Sequence, residues 1–162
     1  MQPSGRHSKR IAHHDLLSSI HSDALLLLRR LGHELIIADG VKLRAFALSD
    51  HDDQVWAHLD WELKLNEPVQ AMADTSTGVL VASTVSDETI LSLVDRGNIS
   101  KVVSVCGSLS ALTASSTEAV IATKETGTSA GRLWRIDIAH KTIIAEKPLT
   151  NSQRGGTMAH SC

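Results

Sequence analysis

The sequence is poor in aromatic residues and in cysteine. Its 162 residues include one Phe, three Trp and no Tyr, so a core must be built from Leu, Ile, Val and Ala. That length is enough for one domain with a sizeable core. The two cysteines, Cys106 and Cys162, are too few for a disulfide framework, and Cys106 lies in an apolar strand pattern typical of a small buried side chain. We therefore expect an intracellular protein, cytoplasmic or nuclear.

An excess of one charge sign and a long apolar run are also missing. The chain has 16 basic and 18 acidic residues, and this balance gives no reason to expect a nucleic-acid partner. The apolar run at residues 25–28 is followed directly by two arginines and is far shorter than the roughly 20 residues that a membrane-spanning helix needs. We predict neither nucleic-acid binding nor a membrane span.

Both ends of the chain lack the patterns of a folded element. Residues 1–14 are basic and contain no acidic residue, and residues 150–162 are polar with two adjacent glycines. Segments that cannot bury apolar surface remain disordered. We predict disordered tails at 1–14 and 150–162, with a folded domain at 15–149 between them.

The folded part contains an internal repeat. Residues 69–84 align without a gap on residues 109–124, at an offset of 40. The alignment continues from 89–95 to 131–137 at an offset of 42, with the two extra residues in the 124–130 loop, where insertions into repeats belong. Val102-Val103 then aligns near Ile143-Ile144. Each unit has four short apolar segments bounded by Asp, Asn, Gly, Ser and Thr, which is typical of strands and turns.

A weaker copy of the unit precedes these two. Residues 35–48 form two apolar runs around Asp39-Gly40, a dipeptide that predicts a hairpin with a type I′ turn. Residues 54–61 would be the last strand of this copy. Its first element has two interpretations, a strand at 24–28 or an amphipathic helix over 15–31 that could cap the end of the sheet stack.

The succession of strand, polar turn, strand, loop, strand, turn and strand in about 40 residues resembles a β-propeller blade of the WD40-like or YVTN-like kind. The resemblance covers residues 24–149 and implies an all-β fold with three four-stranded antiparallel units at about 24–68, 69–108 and 109–149. This would be a partial propeller, because propellers typically close with 4–8 blades. It implies self-association or docking onto a protein partner; a sandwich of about twelve strands is the alternative architecture.

The preferred functional hypothesis is a protein-interaction or scaffold module that binds a protein partner through loops on one face. Loops positioned by a rigid scaffold commonly carry binding. The loops concerned are those at 85–88, 106–108, 124–130 and 61–68. The longest is 124–130, and Trp61 offers an indole as a binding anchor, on the opposite strand face from Trp56. The candidate partner-binding residues are Lys124, Glu125, Thr126, Thr128, Ser129 and Trp61.

The alternative hypothesis is an enzyme or metal-binding propeller whose site forms on oligomerisation. Its candidate ligands are consecutive, Asp50-His51-Asp52-Asp53, because oxygen-rich loops can hold divalent cations. An Asp-rich hairpin turn is the competing interpretation of the same residues. No catalytic motif occurs in the sequence, so we assign no catalytic residue, cofactor or resident metal, and a non-enzyme is favoured.

Overall fold

The computed structural model describes residues 10–12, 23–29, 33–128 and 130–149. In these residues every regular element is a strand and none is a helix, so the predicted all-β class is confirmed. No helix in this part of the chain has the length and apolar character needed to cross a bilayer. The strands are β1 (Arg10–Ala12), β2 (Leu25–Leu28), β3 (Glu34–Asp39), β4 (Lys42–His51), β5 (Gln54–Lys64), β6 (Ala71–Asp74), β7 (Val79–Val85), β8 (Glu88–Asp95), β9 (Asn98–Cys106), β10 (Ser108–Ala114), β11 (Glu118–Lys124), β12 (Gly131–Asp137) and β13 (Thr142–Pro148).

The structure decides between the two interpretations of the first element. Leu25–Leu28 form β2, which pairs antiparallel with β3, so the helix predicted over 15–31 is wrong at these residues. The pairing supplies the backbone hydrogen bonds that a helix would otherwise make. Within the predicted tail at 1–14, Arg10–Ala12 form β1 and pair with β5. The rest of that tail, residues 13–22 and the predicted tail at 150–162 lie outside the described residues.

The strands form three antiparallel sheets, and each predicted repeat supplies four strands of one sheet, to which β1 from the predicted tail adds a fifth strand in sheet A. Sheet A has the order β1-β5-β4-β3-β2, sheet B the order β6-β7-β8-β9, and sheet C the order β10-β11-β12-β13. Apart from β1, neighbours along the chain are neighbours in each sheet, as in a propeller blade. The chain divides into two compact units, Met1–Asn66 with sheet A and Glu67–Cys162 with sheets B and C. They are called unit 1 and unit 2 below.

The predicted hairpin at Asp39-Gly40 in unit 1 is present, but its turn lies one residue further on. Asp39 pairs with Lys42, so Gly40 and Val41 are the central residues, and only Gly40 has a positive φ, at 60°. Glycine at the first central position alone is the type II′ pattern. The β-branched Val41 disfavours the second positive φ that the predicted type I′ turn needs.

Sheets B and C share the same strand register, which confirms the repeat. In sheet B, Ala71 pairs with Ala82 and Asp74 with Val79, and in sheet C the pairs 40 residues later are Ala111 with Ala122 and Ala114 with Ala119. The turn between these strands is also repeated. The hydroxyls of Thr75 and Ser115 both bond the backbone three residues ahead, at Gly78 and Glu118.

Sheets B and C pack face to face with equivalent strands side by side. Strand β10 contacts β6 and β7, and β13 contacts β9. The Ser76 backbone N–H and hydroxyl both donate to the carbonyl oxygen of Ser116, its equivalent in the repeat. The apolar side chains between the sheets form the core of unit 2. Its buried members are Ala73, Leu80, Ala82, Leu91, Val102, Val103, Val105, Ala119, Ile121, Trp134, Ile136 and Ile138.

Cys106 ends β9 half-buried and packs against the apolar core of unit 2, which agrees with its apolar strand pattern. It is also disulfide-bonded, which the sequence did not predict. The other cysteine of the chain, Cys162, lies outside the described residues. One disulfide is not a disulfide framework, but it removes the redox argument for an intracellular protein, since disulfides persist mainly in oxidising compartments.

Asp137, the last residue of β12, has a carboxylate with a perturbed pKa. The His140 backbone N–H donates to Asp137 Oδ1 at 2.9 Å, and His140 Nδ1 lies 3.0 Å from Asp137 Oδ2. The backbone hydrogen bond first, and the imidazole second, lower the pKa of Asp137. A lowered folded-state pKa stabilises the fold above the unfolded-state pKa of aspartate, and this contribution is lost as the pH falls through the folded-state value.

We therefore expect an NMR titration to place the midpoint of Asp137 below that of ordinary exposed aspartates. His140→Ala should raise the midpoint only in part, because the backbone donor remains in the variant. An unchanged midpoint in His140→Ala would show that the imidazole has no part in the shift.

Candidate functional site

Three connections meet at one end of unit 2. They are the β7–β8 turn, the β9–β10 connection at Gly107, and the 125–130 loop between β11 and β12. The Gly107 N–H donates to the Asp87 carbonyl oxygen at 2.6 Å, and the Thr126 hydroxyl donates to the Asp87 carboxylate. The Ser108 hydroxyl donates to the Lys124 carbonyl oxygen at 3.1 Å. Three of the four predicted loops are therefore in mutual contact.

Local backbone geometry explains two of these connections. Ser86 and Asp87 both have positive φ, 48° and 63°, which defines a two-residue type I′ hairpin turn. Gly107 has a φ of 98°, and a Cβ there would lie 3.0 Å from Thr123 Cβ. Glycine is thus required at 107 by both conformation and space. The Thr89 hydroxyl donates to the Gly107 carbonyl oxygen at 2.8 Å and fixes this connection from β8.

The 125–130 loop is closed by its own hydrogen bonds. The Thr128 N–H donates to the Glu125 carbonyl oxygen at 3.3 Å, and Gly127 has a φ of 77°, as the third residue of a type II turn requires. The Glu125 N–H donates to the Ala130 carbonyl oxygen at 3.0 Å, and the Ala130 N–H donates to the Thr128 hydroxyl at 3.2 Å. The described residues of this loop are therefore tied to one another before any partner binds.

An open depression of about 580 Å³ lies against this loop. The hydroxyl protons of Ser108, Thr126 and Thr128 are donated within the protein, so these groups offer lone pairs outward. Lys124 is exposed and adds an ammonium donor. Among the described lining residues, every one except Gly127 carries a side chain with a polar group. Its lining residues are Ser108, Lys124, Glu125, Thr126, Gly127 and Thr128.

Four of the six predicted site residues line this depression: Lys124, Glu125, Thr126 and Thr128. Ser129 lies outside the described residues. Trp61 belongs to β5 of unit 1, where it is half-buried, whereas the depression is in unit 2. Strand β5 runs on to Lys64, so the predicted 61–68 loop starts only after that residue.

The Asp50-His51-Asp52-Asp53 segment is a tight hairpin turn between β4 and β5. Asp52 and Asp53 have φ values of 49° and 61°, and His51 pairs with Gln54. Aspartate is one of the residues that tolerate this left-handed conformation, which accounts for the clustered acids. Within the described ranges no group of three or more His, Cys, Asp or Glu side chains is arranged to hold a metal ion.

The sequence did not predict three residues that hold the loop at this site, namely Asp87, Arg132 and Glu146. Arg132 pairs with Glu125 of the loop and with Glu146 of β13, and Asp87 accepts from Thr126 across the two sheets. One signal could have found Asp87. It lies 39 residues before Thr126, close to the repeat length, and equivalent turns of stacked units lie side by side.

No family model matches the chain, and the searches of curated proteins and of solved structures return no significant match. The class of the protein therefore follows from its own geometry. It is an all-β protein of antiparallel sheets with blade-like strand order, five-stranded in sheet A and four-stranded in sheets B and C. Connections of sheets B and C meet at one end of unit 2, beside an open depression lined by Ser108 and residues 124–128 of sheet C.

Proposed function

We propose that this chain is a protein-interaction or scaffold module of the β-propeller type, which binds a protein partner at the polar depression of unit 2. One observation carries the proposal. The connections of two successive sheets meet at one end of unit 2, beside an open depression lined by Ser108 and residues 124–128, and the described residues of the loop are tied to each other and to sheet B by hydrogen bonds. Loops held by a rigid sheet framework are where such modules commonly bind.

The repeat itself points to the same loop. Unit 2 uses a two-residue turn at 86–87 but a longer loop at 125–130 between equivalent strands. The short turn is enough to join these strands, so the additional residues of the longer loop are not needed for strand pairing and are available for contact with a partner. Because the loop is ordered by its own hydrogen bonds, a partner would bind it without a large ordering cost.

The kind of partner and the cellular setting are proposed from the sequence. The partner is a protein, or a further copy of this chain, because three blade-like sheets are fewer than the 4–8 of closed propellers. Nucleic acid is not proposed as a partner, given the balanced charge. An intracellular setting, cytoplasmic or nuclear, belongs to the proposal, and the disulfide at Cys106 is the observation against it.

Replacing residues 125–130 with Asn-Gly tests the proposal. We expect this variant to lose capture of proteins that the purified wild-type chain retains from a cell extract, because the contact surface is gone while the β11–β12 pairing remains. The matched control replaces the exposed residues 139–141 of the β12–β13 loop, at the other end of sheet C, with the same dipeptide and keeps the buried Ile138. Circular dichroism and thermal unfolding confirm that both variants are folded.

The set of captured proteins that depends on 125–130 but not on 139–141 is the result to measure. An empty set, with all retained proteins captured equally by the three chains, would exclude the loop as the binding surface.

A further inference from the structure

The side chain of Arg132 links the 125–130 loop to the last strand of its sheet. Arg132 lies in β12, with Nη2 3.2 Å from Glu125 Oε1 and Nη1 2.6 Å from Glu146 Oε1. Glu125 is the first residue of the loop, and Glu146 belongs to β13. One guanidinium therefore bridges two carboxylates that are 21 residues apart in the sequence.

This bridge differs from the other arginine pairs by its burial. The side chain of Arg132 is only 11% exposed, whereas Arg135, which pairs with Glu118 from the same strand, is 54% exposed. Exposed ion pairs contribute little, because water screens them and the long side chains lose entropy. A guanidinium largely removed from water makes stronger hydrogen bonds with its carboxylates.

The loop is also held from a second direction by its next residue. The Thr126 hydroxyl donates to the carboxylate of Asp87, which lies in sheet B. Glu125 is thus fixed to its own sheet, and Thr126 to the neighbouring one. Because the Glu125–Arg132 ion pair and the Thr126–Asp87 hydrogen bond hold adjacent residues from different directions, the turn at 126–127 can move little.

We propose that Arg132 is a positioning residue that holds the 125–130 loop in the conformation a partner contacts. The effect of Arg132 on partner binding rests on the proposed function, whereas its effect on the order of the loop does not. Without the guanidinium, Glu125 loses its ion pair, and the loop must be ordered again at each binding event. Ordering a few side chains weakens binding by roughly ten-fold.

Amide hydrogen exchange of Arg132→Gln tests the structural part without any partner. The amides of Glu125, Thr128 and Ala130, which are hydrogen-bonded within the loop, should exchange roughly ten-fold faster, while those of β7 and β8 stay protected. Arg132→Lys should restore the protection in part, because an ammonium keeps the charge but not the fork that reaches two carboxylates.

The matched control is Arg135→Gln, which removes an ion pair from the opposite face of the same strand. Equal exchange rates at the three loop amides in Arg132→Gln and Arg135→Gln would overturn the inference. So would faster exchange throughout unit 2, since Arg132 would then be a general stabilising residue.

The binding part uses the proteins whose capture depends on residues 125–130. Arg132→Gln should retain them roughly ten-fold less well than Arg135→Gln. Unchanged retention with an opened loop would show that the loop conformation does not matter for binding. If the wild-type chain retains no loop-dependent protein, the proposed function fails, and the exchange rates still decide whether Arg132 positions the loop.

Discussion

Trp134→Ala is expected to lower the free energy of unfolding by about 3–5 kcal/mol, the usual cost of truncating a large buried aromatic side chain. Trp134 is 6% exposed and lies in the core that sheets B and C share. Truncation would leave a cavity between two sheets that cannot approach each other without disturbing their turn contacts. Denaturant unfolding followed by far-ultraviolet circular dichroism measures the effect, since the substitution removes a fluorophore.

The hydrogen bond of the indole gives this prediction a specific control. Trp134 Nε1 donates to the Thr123 hydroxyl at 2.9 Å, and Thr123 is only 2% exposed. Thr123→Val keeps the volume but leaves a buried donor unpaired, at a cost of about 1–3 kcal/mol. Combined with Trp134→Phe, which removes the donor, Thr123→Val should cost less than it does alone. Strictly additive effects would mean that the hydrogen bond does not contribute.

The fold could largely be predicted from the sequence because its determinants are local. Strand β11 is a continuous apolar run between polar turns, and it alternates half-buried side chains with the buried Ala119, Ile121 and Thr123, as the period of two of a strand predicts. The insertion was also predictable. Lys124 pairs with Gly131 where Thr84 pairs with Thr89, so the offset changes from 40 to 42 across this loop, as the alignment requires.

The alignment of the last strands is wrong, because loop length and bulges interrupt the repeat there. Ile99 pairs with Val94, and Ile143 pairs with Ile136, the equivalent of Val94, so Ile143 corresponds to Ile99 and not to Val103. The β8–β9 turn has two residues and the β12–β13 loop has four, which shifts the offset to 44. Matching apolar pairs by hydrophobicity alone selected the wrong partners.

The relative orientation of the two tryptophans of β5 was also predicted wrongly, because of a bulge at a single residue. Five positions apart, Trp56 and Trp61 were expected on opposite strand faces. The register shifts between Ala45 and Phe46, where Asp60 has no partner on β4, and Trp56 and Trp61 lie opposite Ser49 and Ala45 on one face. A bulge adds one residue to a strand and reverses the alternation beyond it. Nothing in the local sequence marks Asp60 as that residue.

The candidate site, too, could be predicted from the sequence only in part. Its position in the 124–130 loop follows from a length difference that the sequence displays. Asp87 and Arg132 enter it through the packing of sheet B on sheet C and through the reach of one side chain. Contacts of this kind depend on tertiary structure, so hydrophobic periodicity does not predict them.

Gly78→Ala is expected to destabilise the chain by about 1–3 kcal/mol, the usual cost of forcing extra volume into a well-packed region. A Cβ at position 78 would lie 2.4 Å from the Val94 carbonyl oxygen and 3.1 Å from its carbonyl carbon. Both atoms belong to the backbone of β8, which pairs with β7 beside the turn, so relief requires the strands to separate. The expected change is a lower midpoint of thermal unfolding, measured on the purified variant.

The repeat supplies the control, because the residue equivalent to Gly78 in sheet C is Glu118. Glu118 carries a full side chain there and accepts two hydrogen bonds from Arg135, at 2.8 and 2.9 Å. Glu118→Ala should therefore change the midpoint far less than Gly78→Ala, although it removes a carboxylate and its ion pair whereas Gly78→Ala only adds one carbon. If the two variants unfold at the same temperature, the close approach of Val94 is not what requires glycine at 78. If only Gly78→Ala is destabilised, two turns with the same hydrogen bonds differ because the neighbouring strand lies closer in one of them.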